Sequence, residues 1–369
     1  MNRKVLAIFT TVALMLGTTV VAFASDSHGK GTVGAVYTMT NEANGNQVVV
    51  FNRNAGGRLT LAGAIPTEGL GSGPAPVRGG LDPLESQDSL VLTKDNRWLL
   101  AVNAGSNEIS VFRVKRGALE LVEKVESGGE FPVSLAVFHN LVYVLNAGSP
   151  NITGFSLGRD GQLVPLADSN RDLGTGGFAQ VSFDPRGNNL VVTDRGENEI
   201  LVFPLDRHGL AASVPVTSAS NGIAPFGFTF DQQGHLLVSE AGSGAVSSYD
   251  IGDDGSLQII SPSVENGQAA TCWIARNHMG FVFSANTGSG TISAYKGIVD
   301  GQLELLDARA GVGVTPLDVG VSIDDSFLYA LDPVSETIDM FRIGANGGLT
   351  DLGTVTGGLS IFAQGIAVR

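Results

Sequence analysis

Residues 281–303 read FVFSANTGSGTISAYKGIVDGQL, and 46 positions later residues 327–349 read FLYALDPVSETIDMFRIGANGGL. Both stretches have the same frame. An apolar run meets a short polar turn, a second apolar run ends in an aromatic, and a glycine turn leads to a leucine. The frame recurs seven times, with aromatics at Phe51, Phe112, Phe155, Phe203, Tyr249, Tyr295 and Phe341. The leucines keep the same beat at Leu59, Leu119, Leu163, Leu210, Leu257, Leu303 and Leu349. A period in the mid-forties built from short strands predicts the blades of a β-propeller. Blades stack into one closed ring, so the 369 residues form one domain where length alone would suggest two. The 50 glycines accompany 43% hydrophobic residues, a composition of many tight turns rather than of disorder.

Blade four shows the expected strands most clearly, lettered a to d from the axis outward. Strand a is Ala179–Asp184, strand b Leu190–Asp194, strand c Glu199–Leu205, and strand d starts at Leu210. Pro185-Arg186-Gly187, Arg195-Gly196-Glu197-Asn198 and His208-Gly209 supply the turns. Blade one lacks a strand a. Val33–Thr38, Gln47–Asn52 and Leu59–Ile65 fit its strands b, c and d, while Gly365–Val368 fits a strand a with no blade after it. The chain ends therefore share one sheet, which closes the ring and removes its open edges. The expected fold is all-β, a seven-bladed propeller of four-stranded antiparallel blades. One step departs from the beat: Phe51 and Phe112 lie 61 residues apart, and the excess falls in Glu68–Asp88. This long d-to-a connection is a candidate functional loop.

The N-terminus reads as a leader. Arg3 and Lys4 precede an apolar run from Val5 to Ala22, and Ala22-Phe23-Ala24 is an A-x-A cleavage site. The division is a signal peptide at 1–24, an extension at 25–32 and the propeller at 33–369, in a secreted or periplasmic protein. After cleavage no membrane span is expected. Losing Arg3 and Lys4 takes the net charge from −14 to −16, which opposes binding to nucleic acid. Cys272 is the one cysteine, so no intramolecular disulfide forms, and a buried inert thiol is the expectation. A monomer is expected.

The ends of strand b carry a family resemblance. Tyr143-Val144-Leu145-Asn146 before Ala147-Gly148-Ser149, and Leu100-Ala101-Val102-Asn103 before Ala104-Gly105-Ser106, resemble the YVTN-type repeat. Ser89–Leu92, Pro225–Phe228 and Phe283–Gly288 resemble the lactonase-like seven-bladed propellers over residues 33–369. That group includes propeller-type 6-phosphogluconolactonases and carboxymuconate-lactonising enzymes. The resemblance implies a ligand site at the channel mouth, on the face of the d-to-a and b-to-c connections. It also implies hydrolysis of a lactone or related ester.

At that mouth the catalytic candidates are Asp318 and Arg195, and the substrate-binding candidates are Gln87, Gln180, Gln364, Phe226 and Glu130. Asp318 is the candidate base if burial raises its pKa, or else it caps backbone amides. Arg195 is an oxyanion or carboxylate ligand, or else a surface ion-pair partner beside Asp194 and Glu197. The three glutamines, at equivalent starts of strand a, converge on a polar ligand or satisfy one another. The histidines fall elsewhere, His139, His235 and His278 in a-to-b turns and His208 in a c-to-d turn, facing away from the mouth. The Asp-Gly pairs at Asp160, Asp254 and Asp300 read as hairpin turns, so no metal and no cofactor is expected. Export and the lack of an Arg/Lys cluster disfavour a phosphorylated lactone. The partner is then a neutral lactone, or, in a non-catalytic scaffold, a protein or glycan.

Overall fold

The computed structural model describes residues 31–74, 82–115, 118–297 and 299–369. The leader, most of the extension and residues 75–81 of the long connection lie outside the described residues. Seven antiparallel sheets follow one another around the ring. Their innermost strands are Gln364–Val368, Leu90–Leu92, Pro132–Phe138, Phe178–Phe183, Pro225–Phe230, Thr271–Arg276 and Val319–Val321, for blades one to seven in order. Among the described residues the helical segments are two short 3-10 turns, and no helix is long and apolar enough to cross a membrane.

Ring closure follows the expected plan. The C-terminal strand Gln364–Val368 pairs antiparallel with Thr32–Met39, placing Tyr37 opposite Ala367. The first sheet therefore holds both ends of the chain. All seven strand-c aromatics are buried, from Phe51 and Phe112 to Phe341. They form the apolar layers between blades, where close packing of aromatic surface drives the stacking. The residues that end strand b act as scaffold. Asn103 donates to Ser110 Oγ and Asn286 donates to Ser293 Oγ, each at 2.8 Å. In blade four Asp194 Oδ1 accepts from the amides of Gly177 and Gly196, both at 2.8 Å.

Two outer strands differ from the sequence expectation. Strand d of blade four runs from Val216 to Ala219 rather than from Leu210. Only a bridge between Leu205 and Ala211 survives near the turn. Pro215 precedes the strand and Pro204 ends strand c, and neither has an N–H for the ladder. In blade three the outer strand is split into Leu163–Pro165 and Arg171–Asp172, both paired with Asn151–Leu157. Arg171 fastens this segment to blade four through hydrogen bonds to the carbonyls of Ala211 and Ala212.

Candidate functional site: the channel mouth

At the mouth, each inner strand begins with a residue whose side chain faces the neighbouring blade. Register places Ser89, Ser134, Gln180, Gly227, Trp273 and Asp318 at equivalent positions, with Gly365 at the bulge of blade one. Three of them accept a hydrogen bond from the first ladder amide of the next blade. Ser134 Oγ takes Val181 N at 3.1 Å, Gln180 Oε1 takes Phe228 N at 2.5 Å, and Asp318 Oδ2 takes Ile366 N at 3.0 Å. These bonds tie successive blades together at the axis and satisfy backbone amides of the buried Val181, Phe228 and Ile366.

Blade five has no acceptor of its own at this position, because Gly227 has no side chain to offer. The missing acceptor comes from across the ring. Gln87 Oε1 accepts from Ile274 N and Gln87 Nε2 donates to Ile274 O, both at 3.0 Å. Gln87 belongs to the end of the long connection, and this end crosses the mouth as a strap. Ser86 O accepts from Trp273 Nε1 at 2.9 Å, and Ser86 Oγ donates to Val133 O at 2.8 Å. Gln87 N donates to Ala179 O, and Leu135 N donates to Asp88 O. Glu85 forms an ion pair with Arg195. The strap thereby joins blades three, four and six.

The glutamine set is corrected by this geometry. Gln180 and Gln364 hold the equivalent position, opposite Thr193 and Met39, while Gln87 lies two residues ahead of it in blade two. Gln180 Nε2 donates to Asp88 Oδ2 at 2.6 Å and to Phe228 O at 3.1 Å. Gln364 is buried and its Nε2 has no partner. Arg195 is an ion-pair partner, the second of its two expected readings, and its partner is Glu85 of the strap. Phe226 is buried against Trp273 in an edge-on contact at 5.1 Å between centroids. Glu130 is exposed on the rim. Asp318, Gln87, Gln180 and Arg195 do come together, but around the chain's own strap.

The strap adds carboxylates that sequence reasoning did not single out within the candidate functional loop Glu68–Asp88. Burial pushes Asp82 and Asp88 up to about 7. Asp318 is raised well above the usual range, first by burial and then by the nearby charge of Asp88. Both of its oxygens accept backbone amides, Val319 N on Oδ1 and Ile366 N on Oδ2. Glu85, Asp88 and Asp318 hold left-handed backbone at φ of 50°, 63° and 78°, a conformation tolerated where surrounding bonds enforce it. Burial, aided by the charge of Asp82, raises the Cys272 thiol far above its ordinary value. One sequence signal could have exposed the strap: a glycine at 227, where blades three, four and seven carry an acceptor.

Among the described residues the histidines lie in the turns expected of them, away from this mouth. His235 Nδ1 is 2.6 Å from Asp231 Oδ2, and His278 Nδ1 is 3.0 Å from Asp325 Oδ1. Among the described residues no three His, Cys, Asp or Glu side chains are grouped to hold a metal ion. Asp160 and Asp254 accept the amides of Gln162 and Ser256, as hairpin turns require.

No curated relative matches the chain in sequence. Its shape matches several solved propellers. A protein from Lactobacillus plantarum superposes with a TM-score of 0.73 at 16% identity, over 92% of this chain and 99% of that one. The periplasmic gluconolactonase of Pseudomonas aeruginosa gives 0.69 at 15%, over 91% and 98%. A candidate 6-phosphogluconolactonase from Bacteroides fragilis gives 0.69 at 17%, again over 91% and 98%. At these identities the likeness is one of fold. The family model for the lactonase seven-bladed β-propeller matches residues 36–176 and 162–241. This chain belongs to the lactonase family of seven-bladed β-propellers.

Proposed function

We propose that the protein is an exported, non-catalytic binding propeller built on the lactonase scaffold. The leader-like residues 1–24 support export. One observation carries the rest: the strap occupies the mouth, and the residues suited to chemistry hold it there. Both oxygens of Asp318 are engaged by backbone amides, Arg195 is engaged by Glu85, and Gln87 forms a closed pair with Ile274. Ester hydrolysis needs a base facing a water and a donor free for the oxyanion. Here Asp318, Gln87 and the terminal nitrogen of Arg195 do structural work, and the donors left without a partner there are Gln364 Nε2 and Arg195 Nε. The ring then serves as a rigid frame that presents ligand-binding surface on its faces.

A second reading has its own support. Asp82 and Asp88 are raised to about 7 and remain partly exposed, with Arg195 near Asp82 and Gln180 bonded to Asp88. A carboxylate of that pKa suits a general base near neutral pH. That reading is hydrolysis of a non-phosphorylated lactone. A pH-stat assay of the purified protein on neutral sugar lactones and acyl-lactones separates the two, run beside Asp88→Asn and Asp318→Asn. The binding reading expects no turnover above the uncatalysed rate. Saturable turnover that Asp88→Asn abolishes, in a protein that still folds, would replace it with the hydrolase.

A further inference from the structure

The two faces of the ring carry charge differently. On the face of the a-to-b and c-to-d turns, opposite signs sit side by side within single turns, as in Lys94-Asp95, Arg159-Asp160 and Asp206-Arg207. On the mouth face they do not. Among the described residues the d-to-a and b-to-c connections hold one cation, Arg195, and it is paired with Glu85. The outer-strand cations toward this face are also engaged, Lys124 by Glu108 and Arg171 by the carbonyls of Ala211 and Ala212. Glu68, Glu130, Glu197 and Glu336 stand exposed in these connections with no ion pair among the described residues. The mouth face therefore carries unbalanced negative charge.

One arc of this face is also apolar. Val314 in the connection entering blade seven, Val334 in the b-to-c turn of that blade, Ile361 in the connection entering blade one and Leu70 in the connection leaving it are 61%, 40%, 50% and 42% exposed. Hydrogen bonds pin the backbone around each of them. Asp332 Oδ2 accepts Val314 N at 2.7 Å and Asp332 Oδ1 accepts Ser335 N at 3.3 Å, which draws the segments of Val314 and Val334 together. Ser360 Oγ donates to Glu42 Oε1 at 2.5 Å, and Glu42 O accepts Gly71 N at 2.9 Å, which joins the segments of Ile361 and Leu70. Leu70 N donates to Ser106 Oγ at 3.0 Å. Carboxylates lie within this arc: Glu42 itself, Glu336 beside the turn of Val334, and Glu68 next to Leu70 in the chain. Single exposed aliphatic residues are ordinary, but several gathered in one region mark an interaction site.

We infer that this arc, across blades seven, one and two, docks a basic amphipathic segment of a partner protein. The segment's aliphatic side chains meet Val314, Val334, Ile361 and Leu70, and its Lys or Arg groups meet Glu42, Glu68 and Glu336. Apolar contact gives such an interface its affinity, and opposite charge steers the partner and fixes its register. Loops already held by hydrogen bonds lose little freedom on binding. The same charge opposes other occupants. A second copy placed mouth to mouth would set like charges together, and an anionic lipid surface would be repelled. The inference rests on the binding reading of this propeller. The hydrolysis assay reads the mouth and a docking titration reads the rim, so either can fail alone.

The test is fluorescence anisotropy of the full protein with labelled peptides at physiological ionic strength. The probes are a lysine–leucine amphipathic peptide, a lysine–serine peptide of equal charge and a glutamate–leucine peptide. The lysine–leucine peptide is expected to bind more tightly than the other two by about tenfold or more. Val334→Ser combined with Ile361→Ser should weaken it by about tenfold or more. Glu68→Gln combined with Glu336→Gln should weaken it and flatten its salt dependence. Ile323→Ser, at a residue 60% exposed in an a-to-b turn of the opposite face, should leave it unchanged. The inference is overturned if the lysine–serine peptide binds as tightly, if both arc variants bind like wild type, or if Ile323→Ser weakens binding equally. Sedimentation of the protein alone and with phosphatidylglycerol vesicles covers the other occupants. A dimer, or vesicle binding, that Val334→Ser with Ile361→Ser abolishes would give the arc to a second copy or to a membrane and overturn the inference as well.

Discussion

The carboxamide of Gln87 occupies the space that a side chain at Gly227 would need. A Cβ built on Gly227 would lie 2.2 Å from Gln87 Oε1 and 2.7 Å from the carbonyl of Cys272. The same carboxamide accepts Ile274 N, the ladder amide that a side chain at 227 would otherwise serve. Residues 140 positions apart in sequence are thus matched as plug and socket.

Gly227→Ala should therefore destabilise the ring by about 1–3 kcal/mol through overpacking. Gln87→Ala should do so by a similar amount, about 1–3 kcal/mol, by leaving both backbone groups of Ile274 unpaired. The pair should couple. In the Gln87→Ala background, Gly227→Ala should cost less than alone, with the Cys272 carbonyl contact remaining. Chemical denaturation of the double-mutant cycle measures this, and strict additivity would contradict the geometry.

The strap carboxylates set a pH dependence. Asp88 titrates in the folded protein at about 7, against an ordinary carboxylate range near 4 in the unfolded chain. Between these values the folded state keeps a proton that the unfolded chain has released. Its contribution to stability is full below about pH 4, falls as pH rises, and levels off above about pH 7. Asp88→Asn should thus be near neutral at pH 4 and stabilising at pH 8, by on the order of 1–3 kcal/mol allowing for the partial exposure of Asp88. Urea melts of both proteins at the two pH values read the difference directly.

Asp318 should respond differently from Asp88. Both of its oxygens accept backbone amides, so Asp318→Asn turns an NH2 group toward one of them. A loss of about 1–3 kcal/mol is expected, seen as a lower unfolding midpoint at pH 4, where Asp88→Asn has little effect.

The thiol of Cys272 should be inert in the folded protein. Burial and the charge of Asp82 oppose the thiolate, and the thiolate is the reactive form. Ellman's reagent at pH 8 should label the native protein slowly and the guanidinium-unfolded protein at once. Rapid labelling without denaturant would show that the mouth opens.

Removing residues 364–369 should abolish the monomeric fold. It strips the partner from Thr32–Met39 and leaves the buried Tyr37 and Met39 beside an open strand edge. Size-exclusion chromatography would show aggregates in place of the intact ring.

Much of this architecture was legible in the chain. The strand-c aromatics, the glycine turns and the orphan strand at the C-terminus repeat locally, and a local pattern survives in sequence because each blade solves the same packing problem with the same residue types. The family followed from the same repeats. The boundaries of strand d in blades three and four were less legible, since prolines and long turns there allow several registers. The mouth was legible only as a list of residues. Asp318, Gln180 and Arg195 could be placed near the axis, but their partners could not, and Asp82, Glu85 and Asp88 looked like loop. Those partners come from blades far apart in the chain. A hydrogen bond such as Gln87 to Ile274 depends on where a closed ring brings two distant segments, and no local periodicity encodes that distance.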